Sequence, residues 1–105
     1  MAWLYLAIAG VMEIVWAVGL KYSEGFTRPW PSVVTVIGMV ISFYYLALAL
    51  KEIPIGTGYA VWVGIGAVGT AILGMVLFGE SAAWPRLACI VLILAGIIGL
   101  KLTSP

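Results

Sequence analysis

Charge is what this sequence of 105 residues lacks most: Asp, Glu, Lys and Arg make up 9% of it, whereas 65% comes from the set AVILMFWYC. A water-soluble domain carries about 25% charged residues. It would also struggle to bury so many apolar side chains, because a small domain has too much surface for its volume. A soluble enzyme, a disordered chain and a nucleic-acid-binding module are thereby excluded. Histidine is absent and cysteine occurs once, at Cys89. The sequence therefore offers no cluster for a metal, no internal disulfide and no reading of redox compartment. Nor does it offer a nucleophile–base pair or a cofactor loop, so neither an enzyme nor a cofactor is expected.

What is there points to lipid as the solvent. In a bilayer only helices or a closed β-barrel satisfy the backbone, and the apolar residues run continuously rather than alternating, which excludes the barrel. The charges are Glu13, Lys21, Glu24, Arg28, Lys51, Glu52, Glu80, Arg86 and Lys101. They divide the chain into apolar runs of 1–20 (with Glu13 inside), 29–50, 53–79 and 87–100. A spanning helix takes about 20 residues, so four spans leave only enough for tight connections. Residues 1–105 read as a single transmembrane domain, all-α, with no extramembrane domain. A cleavable signal peptide fits the N-terminus poorly, since it lacks a basic start and carries Glu13 centrally.

The helices are predicted at about 2–22, 32–50, 54–78 and 86–102. Trp3 and Tyr5 suit the membrane interface. Gly25 suits a left-handed cap after the first helix. Pro29 and Pro31 are read as barring helix until Ser32, a good N-cap. Pro54 falls where a first-turn proline loses no hydrogen bond. With four spans, the termini and the second loop share one side, which holds Lys51 and Lys101. The first and third loops hold Lys21, Arg28 and Arg86. Orientation follows Lys and Arg differences near helix ends, and here the two sides nearly balance. Either other cues fix one orientation, or the chain inserts both ways and pairs antiparallel. The second reading is the stronger, because four short helices are too few to enclose a solvated pathway alone.

Glu13 is the one charge that membrane insertion does not explain. At a rise of about 1.5 Å per residue it lies about 2 Å from the midplane of its span. A charge there costs a few kcal/mol and is usually functional. A carboxyl in that position is neutralised either by a proton or by a cation, and can exchange one for the other. The plainer alternative is a protonated glutamate hydrogen-bonded between helices as structural glue. Residues three and four apart share a helix face, so Gly10, Glu13, Trp16 and Ala17 form one stripe. Ser42 falls near the middle of the second span, and Tyr59, Trp62 and Gly66 align on the third. A carboxylate ringed by Tyr, Trp and Ser makes a cation site through charge pairing, hydrogen bonding and cation–π contact. Gly10, Trp16, Ser42, Tyr59 and Trp62 are thus the expected pocket lining. Trp16, Ser42 and Trp62 are expected to donate to Glu13 and hold it in one rotamer. The plainer role for Tyr59 and Trp62 is placement in the interfacial belt.

Other signals carry less. Gly64-Ile65-Gly66-Ala67-Val68-Gly69 matches G-x-G-x-x-G, but that fingerprint needs a preceding strand, and inside a membrane helix it reads as packing. Ala88, Ala95, Gly96 and Gly99 suggest a helix-packing seam, a dimer interface being one version of it. Cys89 reads as a small buried hydrophobe.

These residues resemble the small multidrug resistance family of bacterial inner-membrane transporters over essentially the whole chain. The likeness rests on Glu13, on Lys21-Tyr22-Ser23-Glu24-Gly25-Phe26-Thr27-Arg28 with Pro31-Ser32, and on Pro54-Ile55-Gly56-Thr57-Gly58-Tyr59-Ala60-Val61-Trp62. It implies an antiparallel, dual-topology homodimer of four-helix subunits, with both Glu13 carboxylates facing a shared pocket and the fourth helices forming the main contact. It also implies alternating access that exchanges protons for a cation. Within the family, the stretch from Glu13 to Lys21, with Trp16 where multidrug pumps usually have glycine, is more similar to the guanidinium exporters. So are Gly64–Gly69 and Gly96-Ile97-Ile98-Gly99-Leu100-Lys101. A planar guanidinium suits bidentate pairing with a carboxylate. Two positions depart from the exporters, which usually have alanine at Gly58 and threonine at Val63. A looser third helix and a wider, less polar pocket would follow, admitting guanylurea or a substituted guanidinium. The alternatives are a multidrug exporter of quaternary-ammonium cations, one subunit of a heterodimer, and a membrane scaffold that transports nothing.

Overall fold

The computed structural model describes residues 1–103 and builds four helices, α1 (Ala2–Tyr22), α2 (Pro29–Ala49), α3 (Ile55–Leu77) and α4 (Trp84–Thr103), with no strand among the described residues. All four are long and apolar enough to cross a membrane. Even α4, with 20 residues, reaches about 30 Å, the thickness of the hydrocarbon core.

The prolines start helices rather than delay them. α2 begins at Pro29, not at Ser32. Pro29 and Pro31 occupy the first turn, where backbone N–H groups have no intrahelical acceptor, so a missing N–H costs nothing. Ser32 is already inside the helix, its Oγ donating back to the Arg28 carbonyl at 2.5 Å. α4 repeats the pattern, starting at Trp84 with Pro85 next, ahead of the predicted start near 86. Pro54, by contrast, stays outside α3 as its N-cap.

The turn between α1 and α2 is tied by Ser23 rather than capped by Gly25. Ser23 ends α1 in a right-handed conformation and is fully buried. Its Oγ donates to the Leu20 carbonyl (2.7 Å) and accepts from Phe26 N (3.2 Å). Its carbonyl accepts from the N–H groups of Thr27 and Arg28. This knot holds Glu24, Gly25 and Phe26 at φ of 49°, 74° and 67°. Only glycine adopts that region without steric cost.

In space α1 packs on both α2 and α3, which also meet each other, while α4 packs along α3 and reaches α1 through Lys101 over the Trp3 ring. The result is a slab of 43 × 34 × 17 Å. A single helix with its side chains is about 10–12 Å across, so the slab is little more than one helix thick. So thin a slab leaves a residue at its centre close to a surface.

Small residues set the close approaches, as expected where lipid supplies no hydrophobic drive between helices. Between α1 and α2, a Cβ on Gly38 would meet Trp16 Cβ at 3.1 Å, and one on Gly19 would meet Thr35 Oγ1 at 2.7 Å. Between α1 and α3, Gly10 lies against Ile65, Gly66 against Glu13 and Gly69 against Ile14. Gly64 admits Ile97 of α4. Within Gly64–Gly69, each of the three glycines thus receives a different side chain, which is helix packing. The buried core, including Leu6, Ala9, Ala49, Ile53, Val61 and Trp62, joins α1, α3 and the end of α2.

α4 is the exception. Ile90 is its only buried residue, at 8% exposure, and nothing lies within 4 Å of where a Cβ on Gly96 or Gly99 would be. The expected seam is therefore not used inside the subunit. Cys89 is exposed as well, contrary to its reading as a buried hydrophobe, because α4 has a neighbour on one side only.

Candidate functional site

Glu13 lies at the middle of α1 and is partly buried. Its carboxyl rests directly on the α3 backbone at Gly66, so closely that any Cβ there would overlap it. Oε1 is sealed from solvent and has no hydrogen-bond partner among the described residues, and the same holds for Trp16 Nε1 one turn away. An acceptor without a partner in an apolar setting costs several kcal/mol as a charged group, far less as a neutral one. The site therefore calls for a proton or a bound cation. Among the described residues there is no group of His, Cys, Asp and Glu that would hold a metal ion.

Ser42 and Trp62 do not donate to Glu13. Ser42 Oγ donates to the Ala9 carbonyl at 2.7 Å, and Trp62 Nε1 donates to Ser42 Oγ at 3.0 Å. Each side chain has one proton to give, and each is committed. Both groups are buried, Ser42 completely and Trp62 to 7% exposure, which sets aside an interfacial role for Trp62. The acceptor is informative. Ala9 is four residues before Glu13, so its carbonyl is the one the helix also offers to Glu13 N–H. The chain Trp62–Ser42–Ala9 thus ties α3 and α2 to the backbone beneath Glu13, leaving the carboxyl itself open. In a membrane such an interhelical hydrogen bond contributes about 0.6 kcal/mol.

Aromatic rings complete the surround. Tyr59 stacks at a tilt on Trp62 (5.5 Å between centroids), Trp62 meets Phe43 edge-on (5.8 Å), and Phe43 meets Trp16 edge-on (6.4 Å). The row runs across three helices. Tyr59 is 55% exposed and joins the others only through Trp62 in the contacts described. Gly10 is buried and sets the α1–α3 spacing by its contact with Ile65, one turn before Glu13. Four of the expected lining residues lie on or meet α1 near Glu13 with different tasks: Gly10 sets distance, Ser42 and Trp62 brace the backbone, and Trp16 offers a free donor, while Tyr59 is linked only through Trp62.

Phe43 and Gly38 were not legible as part of this region. Phe43 bridges two tryptophans, and Gly38 makes room for Trp16. No sequence signal separates one more aromatic or one more glycine from its neighbours in an apolar helix. Gly66 did have a signal, since it shares a face with Tyr59 and Trp62. Neither of the two departures from the exporter pattern makes a described contact with the carboxyl. A Cβ on Gly58 would run into the Leu50 side chain near the end of α2, and Val63 is exposed. Neither residue faces Glu13 in the contacts described, so the expected widening of the pocket has no support in this geometry.

Residues 1–93 match the family described as Small Multidrug Resistance protein. Three curated relatives align over 104 residues, covering 99% of this chain. A protein of Yersinia pestis named guanidinium exporter is 62% identical, with all of its own length covered. Proteins of the same name from Escherichia coli (strain K12) and Salmonella typhimurium (strain LT2) are 61% and 58% identical, each covered over 99% of its length.

Proposed function

The chain belongs to the Small Multidrug Resistance protein family, and from that premise we propose that it exports guanidinium, or a small guanidinyl cation, in exchange for protons. Membership and the four spans make it a multi-pass protein of the bacterial inner membrane, and its relatives are named as exporters rather than enzymes. The substrate class rests on those relatives and on the fit of a planar ion with N–H donors to a carboxylate.

The observation that carries the mechanism is Glu13 itself: a mid-membrane carboxyl with a sealed, unpartnered oxygen, in a subunit too thin to enclose it. A proton or a guanidinium neutralises it, and the two compete for the same oxygens. Protonation on one side of the membrane releases the cation, and loss of the proton on the other lets the next cation bind. Acidifying the binding side therefore weakens guanidinium binding. Trp16 Nε1, the nearest free donor on the same helix face, orients the carboxylate or a bound cation's counter-group.

The unused face of α4 and the thin slab support an antiparallel homodimer, in which two Glu13 carboxyls face a common pocket and alternate access from either side. Nearly balanced Lys and Arg on the two sides favour insertion both ways over a heterodimer of oppositely biased partners. A quaternary-ammonium exporter draws no support from Gly58 or Val63, neither of which makes a described contact with the carboxyl. A non-transporting scaffold leaves the unpartnered Glu13 without a purpose.

The test is flux in proteoliposomes, comparing guanidinium, guanylurea, substituted guanidinium ions and a tetra-alkylammonium. Guanidinium should drive proton movement, and Glu13→Gln, which keeps the shape and removes the charge, should abolish it. Coupled flux that survives in Glu13→Gln overturns the mechanism; transport of the tetra-alkylammonium alone overturns the substrate class.

A further inference from the structure

Two grooves flank Glu13 along α1 and α3, and they differ in chemistry. Toward the start of α1 the groove is apolar, lined by Leu6, Ala7, Val61 and Ile65, with Lys101 as its charged group. Lys101 Nζ is held over the Trp3 ring at 5.6 Å. Toward the end of α1 lies a groove of about 360 Å³ whose lining runs from Ala17 and Thr70 to Lys21, Glu80 and Arg86. Ala17 is one turn beyond Glu13, and Thr70 is one turn beyond Gly66, on which the Glu13 carboxyl rests. Each of these four-residue steps advances about 6 Å. The groove therefore starts beside Glu13 and ends among charges where α3 leaves the apolar region.

Two features of this groove are unexplained by packing. Thr70 Oγ1 is buried with no partner among the described residues, although a helical threonine ordinarily turns its hydroxyl to a carbonyl of the preceding turn. At the outer end, Glu80 does not extend away from the helices. It folds back so that its carboxyl occupies the space a side chain at Gly74 would need. There it accepts from Arg86 Nη2 at 2.7 Å, the two side chains remaining 45% and 36% exposed. Lys21 is drawn aside over the Phe78 ring at 5.7 Å. The partner that Glu80 holds is itself a guanidinium group.

We propose that this groove is the approach lane for a guanidinium-type cation, with Glu80 as its outer binding site, Arg86 as the tethered competitor that occupies it at rest, and Thr70 as a midway acceptor. The proposal rests on the guanidinium reading given above and adds a second site to it. A free guanidinium offers Glu80 the same planar N–H donors as the Arg86 head. A half-exposed ion pair is weak, so Arg86 leaves often enough for exchange. A cation that displaces it is two turns from Glu13, with one hydroxyl acceptor between. The net positive charge left by Lys21 and Arg86 keeps the outer site from trapping the cation, which moves inward to the unpaired carboxylate. The apolar groove on the other side offers no such sequence of acceptors.

Steady-state guanidinium flux in proteoliposomes separates this from a structural ion pair, because the two partners should act in opposite directions. Glu80→Gln should raise KM about three- to fivefold, the scale of one exposed charge pair, with kcat unchanged. Arg86→Gln should lower KM by a similar factor, and Thr70→Val should raise it while Thr70→Ser restores it. A pair that only braces the loop predicts the same change from either substitution. Equal shifts, or no shift from both, in a protein that still transports guanidinium overturn the outer site. Should Glu80→Gln not fold, Arg86→Gln decides alone: a lower KM supports the site, and an unchanged or higher one overturns it. Wild-type protein that moves no guanidinium at all is a different result, which overturns the underlying reading.

Discussion

The α1–α3 seam and the outer face of α4 both carry glycine, and they use it in opposite ways. Along the seam every glycine is filled by a neighbour: Gly10 by Ile65, Gly66 by Glu13, Gly69 by Ile14. On α4, Gly96 and Gly99 have nothing within 4 Å of where a Cβ would stand. The contrast extends to polar groups. Around α1 they are buried and paired, as in Trp62–Ser42–Ala9, except for those left open at Glu13, Trp16 and Thr70. The seam is therefore finished within one chain apart from the place where chemistry is expected. α4 keeps its outer face bare. On the reading proposed above, the difference separates residues that fold the chain from residues that would join two copies.

Substitutions at matched glycines should break the comparison most sharply. Gly66→Val places a side chain where the Glu13 carboxyl now sits, forcing α1 from α3. Overpacking of this kind costs about 1–3 kcal/mol, and guanidinium flux should fall by at least about tenfold, measured as initial rates in proteoliposomes. Flux that stays near wild type would mean that Glu13 does not need this seat. Gly99→Leu should do the reverse. Subunit stability should stay within about 0.5 kcal/mol of wild type, while the dimer fraction in dilute detergent, read by energy transfer between labelled subunits, should drop. An unchanged dimer places the interface elsewhere.

Smaller effects sharpen the division of labour around Glu13. Ser42→Ala removes the acceptor for Trp62 and the donor to Ala9, at about 0.6 kcal/mol for each such bond and up to about 1.7. Denaturant unfolding followed by tryptophan fluorescence should register it, and guanidinium KM should move less than in Trp16→Phe, which removes the one free donor. A larger KM change from Ser42→Ala would return Ser42 to direct contact with the cation. Smallest of all, Cys89→Ser on the exposed face of α4 should leave subunit stability within about 0.5 kcal/mol. The same thiol should lose reactivity toward a membrane-permeant reagent as dimers form.

The boundaries show where sequence reasoning reached and where it stopped. Four apolar runs between sparse charges placed four helices, because burying a backbone in lipid leaves few alternatives. The start of α2 at Pro29 departs from the expected start at Ser32, because at the first turn a proline's missing N–H has no acceptor to lose. The place of Glu13 at mid-span was legible, since it is the one charge inside an apolar run. Its supposed donors were only half legible. Ser42 and Trp62 do gather near it, yet which oxygen a hydroxyl chooses is decided by ångström-scale distances between helices, and those lie outside any periodicity. Phe43, Gly38 and the folded-back Glu80 were invisible for the same reason.

By itself the sequence determined the solvent, the number of spans and the one charge placed inside a span, because hydration and backbone satisfaction act residue by residue. Which helices touch was decided only in three dimensions. α1 between α2 and α3, a carboxyl seated on Gly66, a hydroxyl turned toward Ala9 and a fourth helix left bare all depend on how side chains fill one another's gaps. Close packing is a property of pairs of surfaces, and a single strand of letters specifies each surface without showing which one it meets.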